Sequence, residues 1–126
     1  MNVARITKEK NHLMLVQVFN ELIDEGKDVI LLMFGYTKGD PTLTKQIENS
    51  IKYPDRIKLM GTRTNIPDYL HEADYFCMPS LWEGLPISML EAGMSGVYPI
   101  ATPVGGIPDV LKDECWGLLA KDTSKE

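Results

Sequence analysis

The sequence predicts an α/β domain: a mostly parallel, Rossmann-like sheet with helices on both faces. Three observations carry that reading. Short apolar runs alternate with segments of helical periodicity, the pattern of repeated strand–helix–strand units. The run from Val29 to Phe34 is continuously apolar, as in a parallel strand buried on both faces. The charged and glycine-rich positions follow the predicted strands, where open parallel sheets gather their ligands. With 126 residues the chain makes one domain, long enough to bury roughly two-thirds of its unfolded surface. Residues 1–120 are assigned to that domain and residues 121–126 to a frayed polar tail.

Met1 to Ile6 is a short apolar strand with Arg5 at its end. From Lys8 to Glu25 the apolar positions Leu15, Val16, Phe19, Leu22 and Ile23 recur at helical spacing, and Gly26 supplies the stop. Lys8 and Lys10 fall in the first turn of that helix, where the dipole disfavours positive charge. A bound anion there would reconcile them; solvated surface cations are the plainer alternative. The Val29–Phe34 strand leads into the loop GYTKGDP, and Pro41 to Tyr53 reads as a helix.

Arg56 to Met60 is a third strand, and the loop GTRTN opens a helix from Ile66 to Glu72, with Asn65 as its cap and Pro67 in its first turn. Tyr75 to Met78 is a fourth strand and Tyr98 to Ala101 a fifth. Gly105 and Gly106 turn into a short helix containing Ile107 to Leu111, and Trp116 to Leu119 is the last strand. Those glycines serve either a plain tight turn or a second close-approach loop near the sheet edge.

Between the fourth and fifth strands lies the stretch on which the chemistry centres, PSLWEGLPISMLEAGMSGVYPIATPVGG. Proline suits the first helical position, where its missing N–H leaves nothing unpaired, so a helix runs from about Pro86 to Ser95. Glu83 then stands just before the helix and Glu91 within it, while Gly84 lets a ligand approach the backbone. Carboxylates accept hydrogen bonds from vicinal hydroxyls, and a helix start offers free N–H groups to an anion. A sugar joined to a phosphate fits both. Either glutamate alone has a plainer account, because the dipole favours acid before a helix and glutamate is a good helix former.

The segment EGLPISMLEA, preceded by PSLW and followed by GVYPIATPVGGIP, resembles the signature of the family 4 glycosyltransferases, and the resemblance extends in register from Met1 to about Ala120. Those are retaining enzymes of the GT-B fold, and the signature lies in their C-terminal, donor-binding domain. The resemblance implies a nucleotide-diphosphate sugar as donor, with Arg5 and Lys10 on the diphosphate and Glu91 on the ribose hydroxyls. It places Glu83 and the backbone at Gly84 and Leu85 on the transferred sugar, and Thr62 and Arg63 beside the nucleobase. It implies neither cofactor nor metal, since cationic side chains and helix dipoles stabilise the leaving diphosphate.

The resemblance also implies an N-terminal acceptor domain and closing helices that this chain lacks, so the chain is expected to be an excised or split donor domain, inactive alone. Its products would serve surface polysaccharide or glycan synthesis. Two alternatives stand beside this one: a non-catalytic nucleotide-sugar-binding subunit of a split transferase, and a GT-B sugar-nucleotide epimerase. Departures from the family pattern are Gly93 inside the helix, Pro99, and Asp109 where glutamate is more usual.

A net charge of −5 gives no support to a broad nucleic-acid-binding face. The longest apolar runs are far below a membrane span and no signal peptide opens the chain, so a cytoplasmic protein, peripheral on a membrane at most, is expected. Cys77 and Cys115 read as reduced thiols in buried strands, and the seven methionines as core filler. His12 and His71 form no ligand-spaced cluster; His12 falls near the phosphates or, more plainly, on the surface.

Overall fold

A computed structural model describes residues 1–36 and 40–124. Thr37–Gly39 of the predicted GYTKGDP loop and the last two residues of the predicted tail lie outside the described residues. The strands are β1 (Asn2–Val3), β2 (Leu31–Phe34), β3 (Ile57–Gly61), β4 (Tyr75–Met78), β5 (Tyr98–Ala101) and β6 (Leu118–Leu119). The helices are α1 (His12–Asp24), α2 (Pro41–Ser50), α3 (Ile66–His71), α4 (Ile87–Met94) and α5 (Ile107–Val110).

All strand pairs are parallel, in two ladders, β3-β2-β1 and β4-β5-β6. The ladders meet edge to edge at β1 and β4. Met1 N donates to Tyr75 O at 2.6 Å, Cys77 N donates to Met1 O at 2.8 Å, and Asn2 Nδ2 donates to Cys77 O at 2.8 Å. The six strands thus run β3-β2-β1-β4-β5-β6, and the direction of winding reverses between β1 and β4. In parallel sheets of this kind ligands bind outside the carboxyl ends of the strands at that reversal.

Side chains alternate between the two faces of each strand, which explains why apolar runs are continuous. Leu31 and Met33 of β2, Ile57 of β3 and Cys77 of β4 pack with Leu15, Val16, Leu43 and Ile47 under α1 and α2. Phe34, Phe76, Met78 and Ala101 point the other way, into a core closed by Leu70, Met89, Ala92, Ile107 and Leu111 from the segments of α3, α4 and α5. The predicted architecture, with helices on both faces, is the observed one.

Several boundaries and burials differ from expectation. The predicted Lys8–Glu25 helix is broken: Lys8–Lys10 form a 3-10 turn, Asn11 adopts a left-handed conformation at φ 53°, and α1 starts at His12. Asparagine tolerates that conformation better than most residues, and its N–H closes the turn onto Lys8 O at 3.1 Å. Lys8 and Lys10 therefore precede α1.

The second helix stops at Ser50 because Asn20 of α1 receives the chain there, donating to Ser50 O at 2.8 Å and accepting from Lys52 N at 3.1 Å. Its start is as the sequence implies, with Pro41 in the first turn and Asp40 Oδ1 accepting from Leu43 N. Cys77 is buried, but Cys115 is exposed and outside any strand, and Met94 stands 89% exposed instead of filling the core. Pro99 is tolerated inside β5 because Tyr98 and Thr102 donate toward β4, so the missing N–H faces the other side, where β6 pairs only from Ile100 onward.

Candidate functional site

β1 and β4 are neighbours at the centre of the sheet and leave it in the same direction, so the loops after them must converge. Leu81 N, just past β4, donates to Glu9 O, just past β1, at 2.7 Å. Beside that stitch, Lys10 Nζ donates to Glu83 Oε2 at 2.6 Å, and Ser80 Oγ donates to the same oxygen at 2.9 Å. Glu83 is 9% exposed and Lys10 18%. A carboxylate so far out of water needs partners, and an ammonium with a hydroxyl supplies them. The anion expected beside Lys10 is thus present in the protein itself, 73 residues away in sequence.

The Glu83 turn is held from below. Thr102 Oγ1, at the end of β5, donates to Ser80 O at 2.6 Å, and its own N–H donates to Met78 O at 3.1 Å. Gly105 has φ +55°, and a Cβ there would fall 1.7 Å from Glu83 O; Gly106 N donates to Gly84 O at 3.3 Å. Close approach of backbone to backbone is therefore what requires the glycine at position 105. The Gly105–Gly106 turn supports the Glu83 turn.

Among the described residues, neither Gly84 nor Leu85 donates its N–H, which leaves two backbone donors at the approach to α4. Pro86 caps α4 from outside it, one position earlier than expected, and among the described residues no side chain caps that end. Leu81, Trp82, Leu85 and Ile87 stand exposed around the turn as an apolar rim.

The remaining predicted residues take separate places. Arg5 is exposed just beyond β1, where Thr7 N donates to its carbonyl at 3.0 Å. Thr62 and Arg63 are exposed in the loop between β3 and α3, and Arg63 Nη1 donates to its neighbour's carbonyl, Thr62 O, at 3.3 Å. Glu91 is exposed on α4 and lines a cleft of about 490 Å³ with Ile66, Pro67, Leu70, Met94 and Ser95. The structure joins Lys10 and Glu83 directly. It sets Glu91 against the start of α3, which the GTRTN loop leads into.

Sequence reasoning missed three residues. Ser80 and Thr102 are 1% and 2% exposed and carry the bonds under Glu83. The spacing Ser-x-x-Glu was a usable signal, since a hydroxyl and a carboxylate three residues apart commonly pair locally. His12, expected near the phosphates or on the surface, is 2% exposed, and neither ring nitrogen has a partner among the described residues. Burial, followed by the nearby Lys10 charge, lowers its pKa from 6.5 to about 4. It is a neutral side chain next to the cationic turn. Its position three and four residues before Leu15 and Val16 marks the buried face of α1.

The winding reversal of this parallel α/β sheet thus carries a paired lysine and glutamate, beside two backbone N–H groups that have no acceptor among the described residues. The family described as glycosyl transferases group 1 matches residues 1–126, and the chain belongs to it.

A UDP-Gal:α-D-GlcNAc-diphosphoundecaprenol α-1,3-galactosyltransferase of Escherichia coli is 29% identical over 119 residues, covering 93% of this chain and 31% of that protein. The amylovoran biosynthesis glycosyltransferase AmsK of Erwinia amylovora is 30% identical over 133 residues, covering 97% and 32%. A glycosyltransferase of Rickettsia africae has the same fold, with a TM-score of 0.92 at 23% identity over 99% of this chain and 34% of that one. Anabaena HepE, solved with UDP and glucose, gives 0.89 at 19% identity over 98% and 34%. The chain spans about a third of the length of these proteins. Among the described residues no helix is long and apolar enough to cross a membrane.

Proposed function

We propose that residues 1–120 form the donor-binding, C-terminal domain of a retaining, family 4-type hexosyltransferase that uses a nucleotide-diphosphate sugar. The observation that carries this reading is the Lys10–Glu83 pair at the carboxyl ends of β1 and β4, which brings a cation and a carboxylate together at the winding reversal. Lys10 and Arg5 receive the diphosphate, and Glu83 with the N–H groups of Gly84 and Leu85 receives the sugar. Glu91 takes the ribose hydroxyls, and Thr62 and Arg63 flank the base.

In the transfer, the bond from the sugar's anomeric carbon to the diphosphate oxygen breaks, and the electron pair leaves with the nucleoside diphosphate. The chain's task is to offset that growing charge, which Lys10, Arg5 and the start of α4 do without a metal. The oxocarbenium-like sugar is attacked on the same face by an acceptor hydroxyl, whose proton is then released. These residues assemble the donor half of the reaction. Acceptor recognition lies outside them. The polysaccharide-building role follows the names of relatives such as AmsK.

Two substitutions test the assignment. Glu91→Ala should weaken nucleotide-sugar binding by about 1 to 3 kcal/mol through lost charged hydrogen bonds, and leave the melting temperature unchanged because Glu91 is exposed. Arg5→Ala should weaken a nucleoside diphosphate far more than the nucleoside. Unchanged affinity in the first variant, or equal losses in the second, would remove that residue from the site.

A further inference from the structure

On the reading above, the donor diphosphate and Glu83 both call on one ammonium group. Lys10 donates to Glu83 Oε2 at 2.6 Å, and a diphosphate gripped by Lys10 must share that ammonium or draw it away. A carboxylate 9% exposed that loses its cation is poorly solvated and free to turn unless something else holds it. Ser80 is that second holder. Its hydroxyl donates to the same oxygen at 2.9 Å, and its carbonyl is fixed from β5 by Thr102 Oγ1 at 2.6 Å. Both residues are buried, so neither bond competes with bulk water.

We propose that Ser80, anchored by Thr102, is a positioning residue that keeps Glu83 Oε2 occupied while Lys10 engages the donor. Glu83 Oε1, which has no protein partner among the described residues, is then presented to a hydroxyl of the transferred sugar. The inference rests on the proposed donor site and adds how that site keeps its carboxylate in place through loading. A purely local role for the Ser80–Glu83 bond, closing a turn between residues three apart, would appear in stability and not in the discrimination between a nucleotide and its sugar conjugate.

The test titrates the whole chain calorimetrically with UDP, GDP, ADP and their glucose conjugates. For the nucleotide that binds, Ser80→Ala should weaken the glucose conjugate about tenfold and the parent diphosphate less than about twofold, as expected for a misplaced charged hydrogen bond felt only by the sugar. Thr102→Val, which keeps the shape and removes the hydroxyl, should shift the same ratio in the same direction, and Thr102→Ser should restore it. Equal weakening of both ligands, or no weakening, would overturn the positioning role while leaving the donor site standing. If Ser80→Ala does not fold, the Thr102 pair decides by the same ratio. Failure of the unsubstituted chain to bind any of the probes would overturn the donor site and this inference together.

Discussion

His12 shows what a single residue contributes and withholds. Its folded pKa is about 4 against an ordinary 6.5, because burial disfavours the charged ring and Lys10 repels it. Between those values the unfolded chain takes up a proton that the folded chain excludes. Stability from this group is therefore full above about pH 6.5 and lost as pH falls toward 4, by about 3 kcal/mol in all. Urea unfolding at pH 7 and pH 4.5 should show a drop that His12→Leu reduces. The leucine variant should be no less stable at pH 7, since it removes two ring nitrogens that have no partner among the described residues. An unchanged acid slope in the variant would show that His12 is not the group responsible.

Local spacing already placed His12 on the face of Leu15 and Val16, so its burial could have been read from the sequence. The Lys10–Glu83 contact could not. Each partner stood out separately, through dipole arguments and through the family signature, but nothing local couples residues 73 positions apart.

At the scale of elements, two glycines near the site respond oppositely to the same change. Gly93 is exposed in α4 with open space where a methyl would project, so Gly93→Ala should raise stability by up to about 1 kcal/mol from helix propensity alone. Gly105 combines a left-handed φ with a carbonyl 1.7 Å from where a Cβ would sit. Gly105→Ala must therefore push the Glu83 turn aside, costing roughly 1 to 3 kcal/mol and weakening sugar-conjugate binding. Denaturant midpoints for both variants, with titrations for the second, check the pair of signs; an unchanged midpoint and affinity in Gly105→Ala would show that the turn adapts freely.

Strand positions were legible because their buried runs are short and bounded by turns. Helix starts were legible to within a residue where proline marks them. The break at Asn11 and the early end of α2 were not, since the first depends on one left-handed residue and the second on Asn20 reaching across from another helix.

At the scale of the molecule, strand order explains why Lys10, Ser80, Glu83, Thr102 and Gly105, far apart in sequence, meet at one place. The winding reverses between β1 and β4, so the loops that follow them meet, and β5 delivers Thr102 and the glycine turn beneath that meeting point. Alternation of strands and helices foretold this parallel architecture, while the edge-to-edge meeting of β1 and β4 required the structure. The central claim is that this meeting point is a donor site. Calorimetric titration of the unsubstituted chain with UDP, GDP, ADP and their sugar conjugates tests it most directly. The account predicts saturable, one-to-one binding of one nucleoside diphosphate and its conjugate, with the diphosphate carrying most of the affinity; binding of none of them, or of nucleoside as tightly as diphosphate, would contradict it.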